Sequence, residues 1–469
     1  MINSVLVTAL AGGRAVTAHA AYAAAGADPV AARSQMGFSL GWHIVVACLG
    51  VGMPGLVLFA EWRGQRTGDP SYQLLARRWA RAMAVLFAVG AVSGTILSFE
   101  MGVLWSGLMD HYGAVIGLPF AIEGFAFFIE AIFLGIYLYG WDRLPPRAHL
   151  LSGIPIVVAG IASAFFVVSA NAWMNAPRGY AVRHGRVVGV DPWAAIFNPA
   201  TGPETTHMIL AAFMVTGFAM ASVYAVAMLR GRRDRYHRLG LLIPLTFAAV
   251  MTPVQIGVGD WAARFVASDQ PVKLAAMEGL ARTQTHAPES IGGLFYDGRL
   301  HGALRIPDGL SLLLRLNPDG KVTGLNSVPP ADRPPVEIVH FAFDAMVGIG
   351  FALLALGAWL AWTWWRRRDL PGTRWFLRAV ALSGVAAVTA MESGWVATEV
   401  GRQPWIVYHV LRTSNAVNTA PGLANGVWPV IAVYAALTVA TVYVLRRLAL
   451  SRPVPAAPQE SDVRAHTVV

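Results

Sequence analysis

The stretch AVIGLPFAIEGFAFFIEAIFLGIYLYG (residues 114–140) decides the class of fold. It exceeds the roughly 20 apolar residues needed to cross a hydrocarbon layer, and its only charges are Glu123 and Glu130. An amphipathic helix of a soluble domain would carry a polar face. This one carries none, so the solvent it meets is lipid. The two acids are what such a helix should exclude, since each costs roughly 2.5–3.5 kcal/mol at mid-helix on insertion scales. Seven residues apart, they share one helix face, and the span itself offers neither of them a cation.

Outward from that stretch, the same length criterion places further spans near 36–60, 80–105, 150–174, 205–229, 239–258, 338–364, 376–399 and 425–445. Composition agrees: 13% of the 469 residues are charged, against about 25% in soluble domains. The expected fold is an all-α polytopic membrane protein of about nine transmembrane helices. Arginines crowd alternate connections: Arg63, Arg66, Arg77 and Arg78; Arg143 and Arg147; Arg230, Arg232, Arg233, Arg235 and Arg238; Arg366, Arg367, Arg368 and Arg374. The positive-inside rule then sets the N-terminus outside and the C-terminus in the cytoplasm. The net charge of +10 is spread over these connections rather than over one basic face, which argues against a nucleic acid partner. The single cysteine, Cys48, excludes an intrachain disulfide and reads as packing.

The chain divides accordingly into an N-terminal extension (1–32), helices one to six (33–258), an extracytoplasmic loop (259–337), helices seven to nine (338–447) and a Pro-rich, disordered cytoplasmic tail (448–469). A loop of that length is functional or disordered. Within it, QPVKLAAMEG (270–279) reads as a short helix carrying Lys273 and Glu278, and a solvated helix face is the plain account of it.

Residues with chemistry in the membrane layer are few. His43 lies about two turns into the first span. His207 opens the fifth, and Met346 lies at a matching depth in the seventh. Imidazole and thioether are axial ligand types for a low-spin haem iron; the plain alternative is a hydrogen-bonded structural histidine and a Met filling an apolar face. His340, entering the seventh span, reads as structural. Glu392 and Glu399 repeat the seven-residue spacing of Glu123 and Glu130. A file of protonatable groups on a helix face suits a proton relay, whereas Glu399 has the simpler option of pairing with Arg402 at the membrane edge. Trp395 and Arg402 read either as an aromatic belt with a snorkelling arginine or as groups flanking a cofactor. Glu100 divides equally between function and interfacial solvation.

These segments together resemble subunit I of cytochrome bd-type quinol oxidases over residues 33 to about 447. The matching runs are RSQMGFSLGWH (33–43), PFAIEGFAFFIEAIFLGIYLYGWDRL (119–144), Asn198-Pro199 followed by His207, QPVKLAAMEG (270–279), HFAFDAMVG (340–348) and GWVATEVGRQPW (394–405). The resemblance implies a haem-carrying catalytic subunit that oxidises membrane quinol and reduces O2 to water, generating a proton motive force without pumping. It implies His207 and Met346 as ligands of a low-spin haem b and His43 as ligand of a high-spin haem. Glu399 becomes the carboxylate ligand of a second high-spin haem, one of the pair being haem b and the other haem d or a further haem b. Glu123 sits beside the oxygen site and Glu130 next on the proton route; Lys273 and Glu278 belong to the quinol site; Trp395 and Arg402 flank the haems. Implied partners are a subunit II, a very small third subunit, quinol, O2 and the lipid of a bacterial plasma (inner) membrane.

Two departures point to a divergent, short-loop branch resembling the cyanide-insensitive oxidases. Asp344 stands where many members have Arg, and the Glu123–Glu130 gap is one residue short. A secondary transporter would instead predict inverted repeats around a midplane site, and none is visible. A di-haem electron carrier would leave His43 and Glu399 without roles.

Overall fold

The computed structural model describes residues 29–420 and 422–450. In chain order the helices are α1 (Pro29–Thr67), α2 (Pro70–Leu104), α3 (Ser106–Gly140), α4 (Pro146–Ser152), α5 (Ile154–Asn175), α6 (Pro192–Ile196) and α7 (Thr201–Leu229). They continue with α8 (Arg235–Asp269), α9 (Pro271–Met277), α10 (Gly309–Arg315), α11 (Val336–Arg367), α12 (Arg374–Gly401), α13 (Thr413–Ala416) and α14 (Ala424–Leu450). Among the described residues, nine helical segments are long and apolar enough to cross a membrane: α1, α2, α3, α4 with α5, α7, α8, α11, α12 and α14. The chain is a multi-pass membrane protein.

Helix α7 is the centre of the bundle, and small residues let its neighbours approach. A Cβ on Gly52 of α1 would stand 2.3 Å from Thr216 Oγ1, one on Gly217 would stand 2.7 Å from Pro244 O of α8, and one on Gly384 of α12 would stand 2.7 Å from Ser222 Oγ. Without a hydrophobic drive between helices in lipid, such close backbone crossings supply the packing. Thr216 also donates to Cys48 O at 2.8 Å, and Cys48 is a buried free thiol in the same core.

The arginine-rich connections meet on one face and are stitched by ion pairs: Arg77–Asp142 at 2.8 Å, Arg235–Asp69 at 2.6 Å, and Arg238 with Asp369. The caps of α2 and α8 lie here, where Asp69 accepts from Ser71 N and Asp234 from His237 N. The opposite face carries the β1–β2 hairpin (Ala181–Arg183 with Arg186–Val188) and the long loop.

That loop is ordered. Strands β3 (Glu289–Ile291) and β6 (Leu304–Ile306) pair around the nested hairpin β4 (Leu294–Tyr296) and β5 (Arg299–His301). The inner hairpin turns on Asp297–Gly298, both at positive φ, as a two-residue turn requires. Near the chain's other end, β7 (Trp405–Val407) pairs with β8 (Leu411–Arg412).

Several boundaries differ from the hydropathy reading. Helix α1 begins at Pro29, inside the stretch assigned to the extension, and α8 runs to Asp269 rather than 258. Gly257, Gly259 and Asp260 end the apolar run without ending the helix, because Arg264 pairs with Asp260 one turn on at 2.8 Å while Phe265 and Val266 are buried. Helix α14 continues to Leu450, and the rest of the tail lies outside the described residues, as do residues 1–28.

Candidate functional site

His207 of α7, Met346 of α11 and Trp395 of α12 line one cavity of about 370 Å³, with Gln255, Lys273 and Glu204 on its walls. Helices distant in sequence thus bring the imidazole and the thioether to a common space. Gly394 makes room for the thioether, since a Cβ there would lie 2.8 Å from Met346 Sδ. The cavity is lined mostly by apolar atoms, yet His207 Nδ1, Gln255 Oε1 and Trp395 Nε1 are buried without a hydrogen-bond partner. Orphaned polar atoms around an apolar void of this size fit a large, mainly apolar group with a few polar contacts.

His43 of α1 faces α2. Ser93 Oγ lies 2.7 Å from His43 Nδ1 and 3.1 Å from Gly90 O. The serine holds the ring through Nδ1, as the second nitrogen of a ligating histidine is held by a neighbouring polar group. Gly94 keeps the ring uncrowded; a Cβ there would meet Cε1 at 3.4 Å.

Glu399 has both oxygens engaged: Asn171 Nδ2 donates to Oε1 at 2.5 Å and Arg402 Nη2 to Oε2 at 2.7 Å. The pairing considered from sequence exists, at the C-terminal end of α12. Arg402 is 0% exposed, which overturns the snorkelling reading. Its Nε and Nη1 remain buried and unpartnered, a pair of donors suited to an anionic group. The carboxylates of α3 turn toward α5, as their spacing predicts. Ser163 donates to Glu123 Oε1 at 3.1 Å, and Glu130 lies against Gly160, whose Cβ would stand 3.6 Å from Oε1. Among the described residues no cation pairs with either acid, and no hydrogen bond or ion pair joins His43, Glu123 and Glu399 to one another.

The α9 segment is not a solvated face. Lys273 is 2% exposed and Glu278 5%, and the two point into different surroundings. Lys273 packs on Gly401, reaches Asn175 Oδ1 at 3.5 Å and faces Glu204. Burial pulls its ammonium down to about 8, with Glu204 opposing the shift. Glu278 instead faces Glu289 and Asp344, and burial followed by those two charges pushes its carboxyl well above the usual range. Asp344 accepts from Gly292 N at 2.6 Å, and His340 reaches Met277 O at 2.6 Å and Gly292 O at 3.0 Å. Both tie the long loop to α11, so His340 is structural, as expected, and Asp344 anchors the loop. Glu100 is buried and accepts from Ser39 at 2.9 Å and Gln35 at 3.2 Å.

Sequence reasoning missed Glu204, Asn171, Asn175, Ser93 and Ser163. Glu204 is bound by Asn175 at 2.9 Å and was legible as an acid one turn before His207. The serines and asparagines carried no signal, being common residues that matter only through their neighbours.

A family model described as cytochrome bd terminal oxidase subunit I matches residues 31–453. The putative cytochrome bd menaquinol oxidase subunit I of Bacillus subtilis (strain 168) is 39% identical over 89% of this chain and 96% of its own length. The cytochrome bd-II ubiquinol oxidase subunit 1 of Escherichia coli (strain K12) is 26% identical over 90% of this chain and 96% of its own. Among solved structures, the bd oxidase from Geobacillus thermodenitrificans superposes with a TM-score of 0.84 at 39% identity, covering 90% of this chain and 98% of that one.

Proposed function

The chain belongs to the cytochrome bd terminal oxidase subunit I family, a haem-carrying quinol oxidase subunit that works with a subunit II, and on that premise we propose a division of labour among its residues. Two quinols are oxidised per O2, releasing four protons on the loop face, while four protons taken from the arginine-lined face complete two waters. Charge separation thus arises without pumping, across a bacterial inner membrane. The arginine asymmetry supports taking that face as cytoplasmic.

His207 and Met346 would hold a low-spin haem b, His43 a high-spin haem, and Glu399 a second high-spin haem. One of that pair is b and the other d or a further b. The haems supply electron transfer and the oxygen chemistry. The chain's own groups do the rest. Ser93 orients the His43 ring, Asn171 and Arg402 orient Glu399, and Arg402 offers two unpaired donors to a propionate. Lys273, 2% exposed between the cavity and α12, serves the quinol site from the cavity side, and Glu278 serves it from the loop side. Glu130 and then Glu123 carry protons toward the oxygen site. A very small third subunit completes the assembly. The observation that carries this reading is the shared cavity of His207 and Met346 with its orphaned polar atoms.

Pyridine haemochrome analysis and the optical spectrum of the purified complex test it. We expect b-type haem throughout, with or without d, a CO-reactive species, and selective loss of the low-spin signal in Met346→Leu. Absence of haem bands would sink the oxidase reading; a single low-spin haem with no CO-reactive species would favour an electron carrier.

A further inference from the structure

A second set of buried protonatable groups lies at the other end of the α3 stripe. Glu61 of α1 (1% exposed), Tyr137 of α3 (0%) and His149 of α4 (2%) form a closed cluster near the arginine-lined face. Tyr137 donates its hydroxyl to Glu61 Oε2 at 2.6 Å, and His149 Nδ1 lies 2.7 Å from Oε1. Gln65 donates to the same oxygen at 2.8 Å and reaches Pro146 O at 2.9 Å, forming the cluster's edge toward the connection.

The hydrogen-bond pattern makes this a proton-holding pair. His149 Nε2 lies 2.9 Å from Tyr137 O, a carbonyl that can only accept, so this nitrogen carries a hydrogen. A single further proton is then shared between Nδ1 and Glu61. Carboxylate with imidazolium and carboxylic acid with neutral imidazole are the same composition, differing in the position of one proton. The charged and titratable groups facing the pair are Tyr137, Asp142 beyond the end of α3, and Arg77 of α2. Arg77 lies 4.7 Å over Trp141, whose ring is 4.3 Å from His149. Gly153, the N-cap of α5, and the apolar Ile156 within it face this region.

Tyr137 follows Glu130 by seven residues, as Glu130 follows Glu123, so the three share a face of α3 at intervals of about 10.5 Å. Glu130 and Tyr137 are separated by buried Leu134 and Ile156, and passage between them requires water admitted past these side chains. We propose that the Glu61–His149 pair is the proton donor that reloads Glu130 from the arginine-lined face. In that step one proton leaves the pair for the Glu130 carboxylate, the pair is reprotonated from water at the Gln65 edge, and no electrons move. The inference rests on reading Glu130 and Glu123 as a proton route.

The rival account is a clamp joining α1, α3 and α4, and Glu61→Gln separates the two. The amide keeps an acceptor for Tyr137 and a donor for His149 Nδ1 but cannot pass a proton. In the complete oxidase in proteoliposomes, fed a short-chain quinol analogue, E61Q should retain its haem spectrum and melting temperature. Its oxygen reduction should slow about tenfold and proton uptake from the arginine-lined side should slow with it. Glu61→Asp should restore much of the rate. His149→Gln should behave as E61Q does and serves as the second variant if E61Q fails to assemble. Wild-type oxygen reduction and proton uptake in these variants, with Glu130→Gln slow, would overturn the donor role and leave a clamp. A wild-type rate in Glu130→Gln would overturn the route itself and the inference with it.

Discussion

Glu399 on α12 and Glu130 on α3 are both carboxylates within the membrane layer, and the fold treats them in opposite ways. Glu399 has each oxygen held, one by Asn171 and the other by the fully buried Arg402. Glu130 has no cation and no hydrogen-bond donor among the described residues, only the open backbone of Gly160 beside it. A carboxylate tied to a guanidinium is fixed in place and charge, as a ligand should be. One beside a small residue, with nothing holding it, is free to turn and to exchange a proton with what comes near. The difference teaches that acids at the same seven-residue spacing are assigned their roles by the neighbouring helix.

The largest test of that contrast is Arg402→Met. Removing one partner of a buried ion pair strands the other, at about 3–5 kcal/mol. We expect a much lower melting temperature and haem loss in the purified complex, and an unchanged melting curve would break the contrast on the Glu399 side. Next in size is Glu130→Gln, which has no ion pair to lose. Haem content and melting should stay at wild-type values while oxygen reduction falls ten- to a hundredfold, about 1.4–2.7 kcal/mol of barrier. Destabilisation without a rate effect would make Glu130 structural.

The smallest sharpens the comparison with a third kind of acid, one among other acids outside the membrane layer. Glu278 has a folded value above its unfolded one, because of burial and then Glu289 and Asp344. Its protonated form therefore stabilises the loop fully below the ordinary carboxylate range, and that contribution is lost as pH rises through the folded value. Limited proteolysis of the loop should accelerate toward alkaline pH more in wild type than in Glu278→Gln. Equal pH dependence in the two would remove the acidic cluster from the account.

Much of the fold was legible because lipid imposes a simple rule. A run such as 114–140 has no soluble alternative, and length and hydropathy found each of the nine candidate spans among the described residues. What failed were ends and edges. Helix α8 outlasts its apolar run because helix formation continues through Asp260–Arg264. Lys273 and Glu278, for which a solvated helix face was the plain alternative to a quinol site, are buried and face different walls, since the folded loop and α12 cover them. The cluster of Glu61 with His149 went unread because its members are 88 positions apart, at the ends of two helices, and each alone resembles an interfacial residue.

The sequence by itself determined that this chain crosses a membrane about nine times, that its arginines lie in alternate connections, and which ionisable residues had to be explained. Those follow from transfer energies and from spacing along one helix, which are local quantities. Only the tertiary structure decided that His207 and Met346 share a void, that Arg402 is inside and bound to Glu399, and that Glu130 is left without a partner. Such facts depend on which helices meet at which height. The small residues that set those meetings, Gly52, Gly217, Gly384 and Gly394, look alike in the sequence and differ only in what lies across from them.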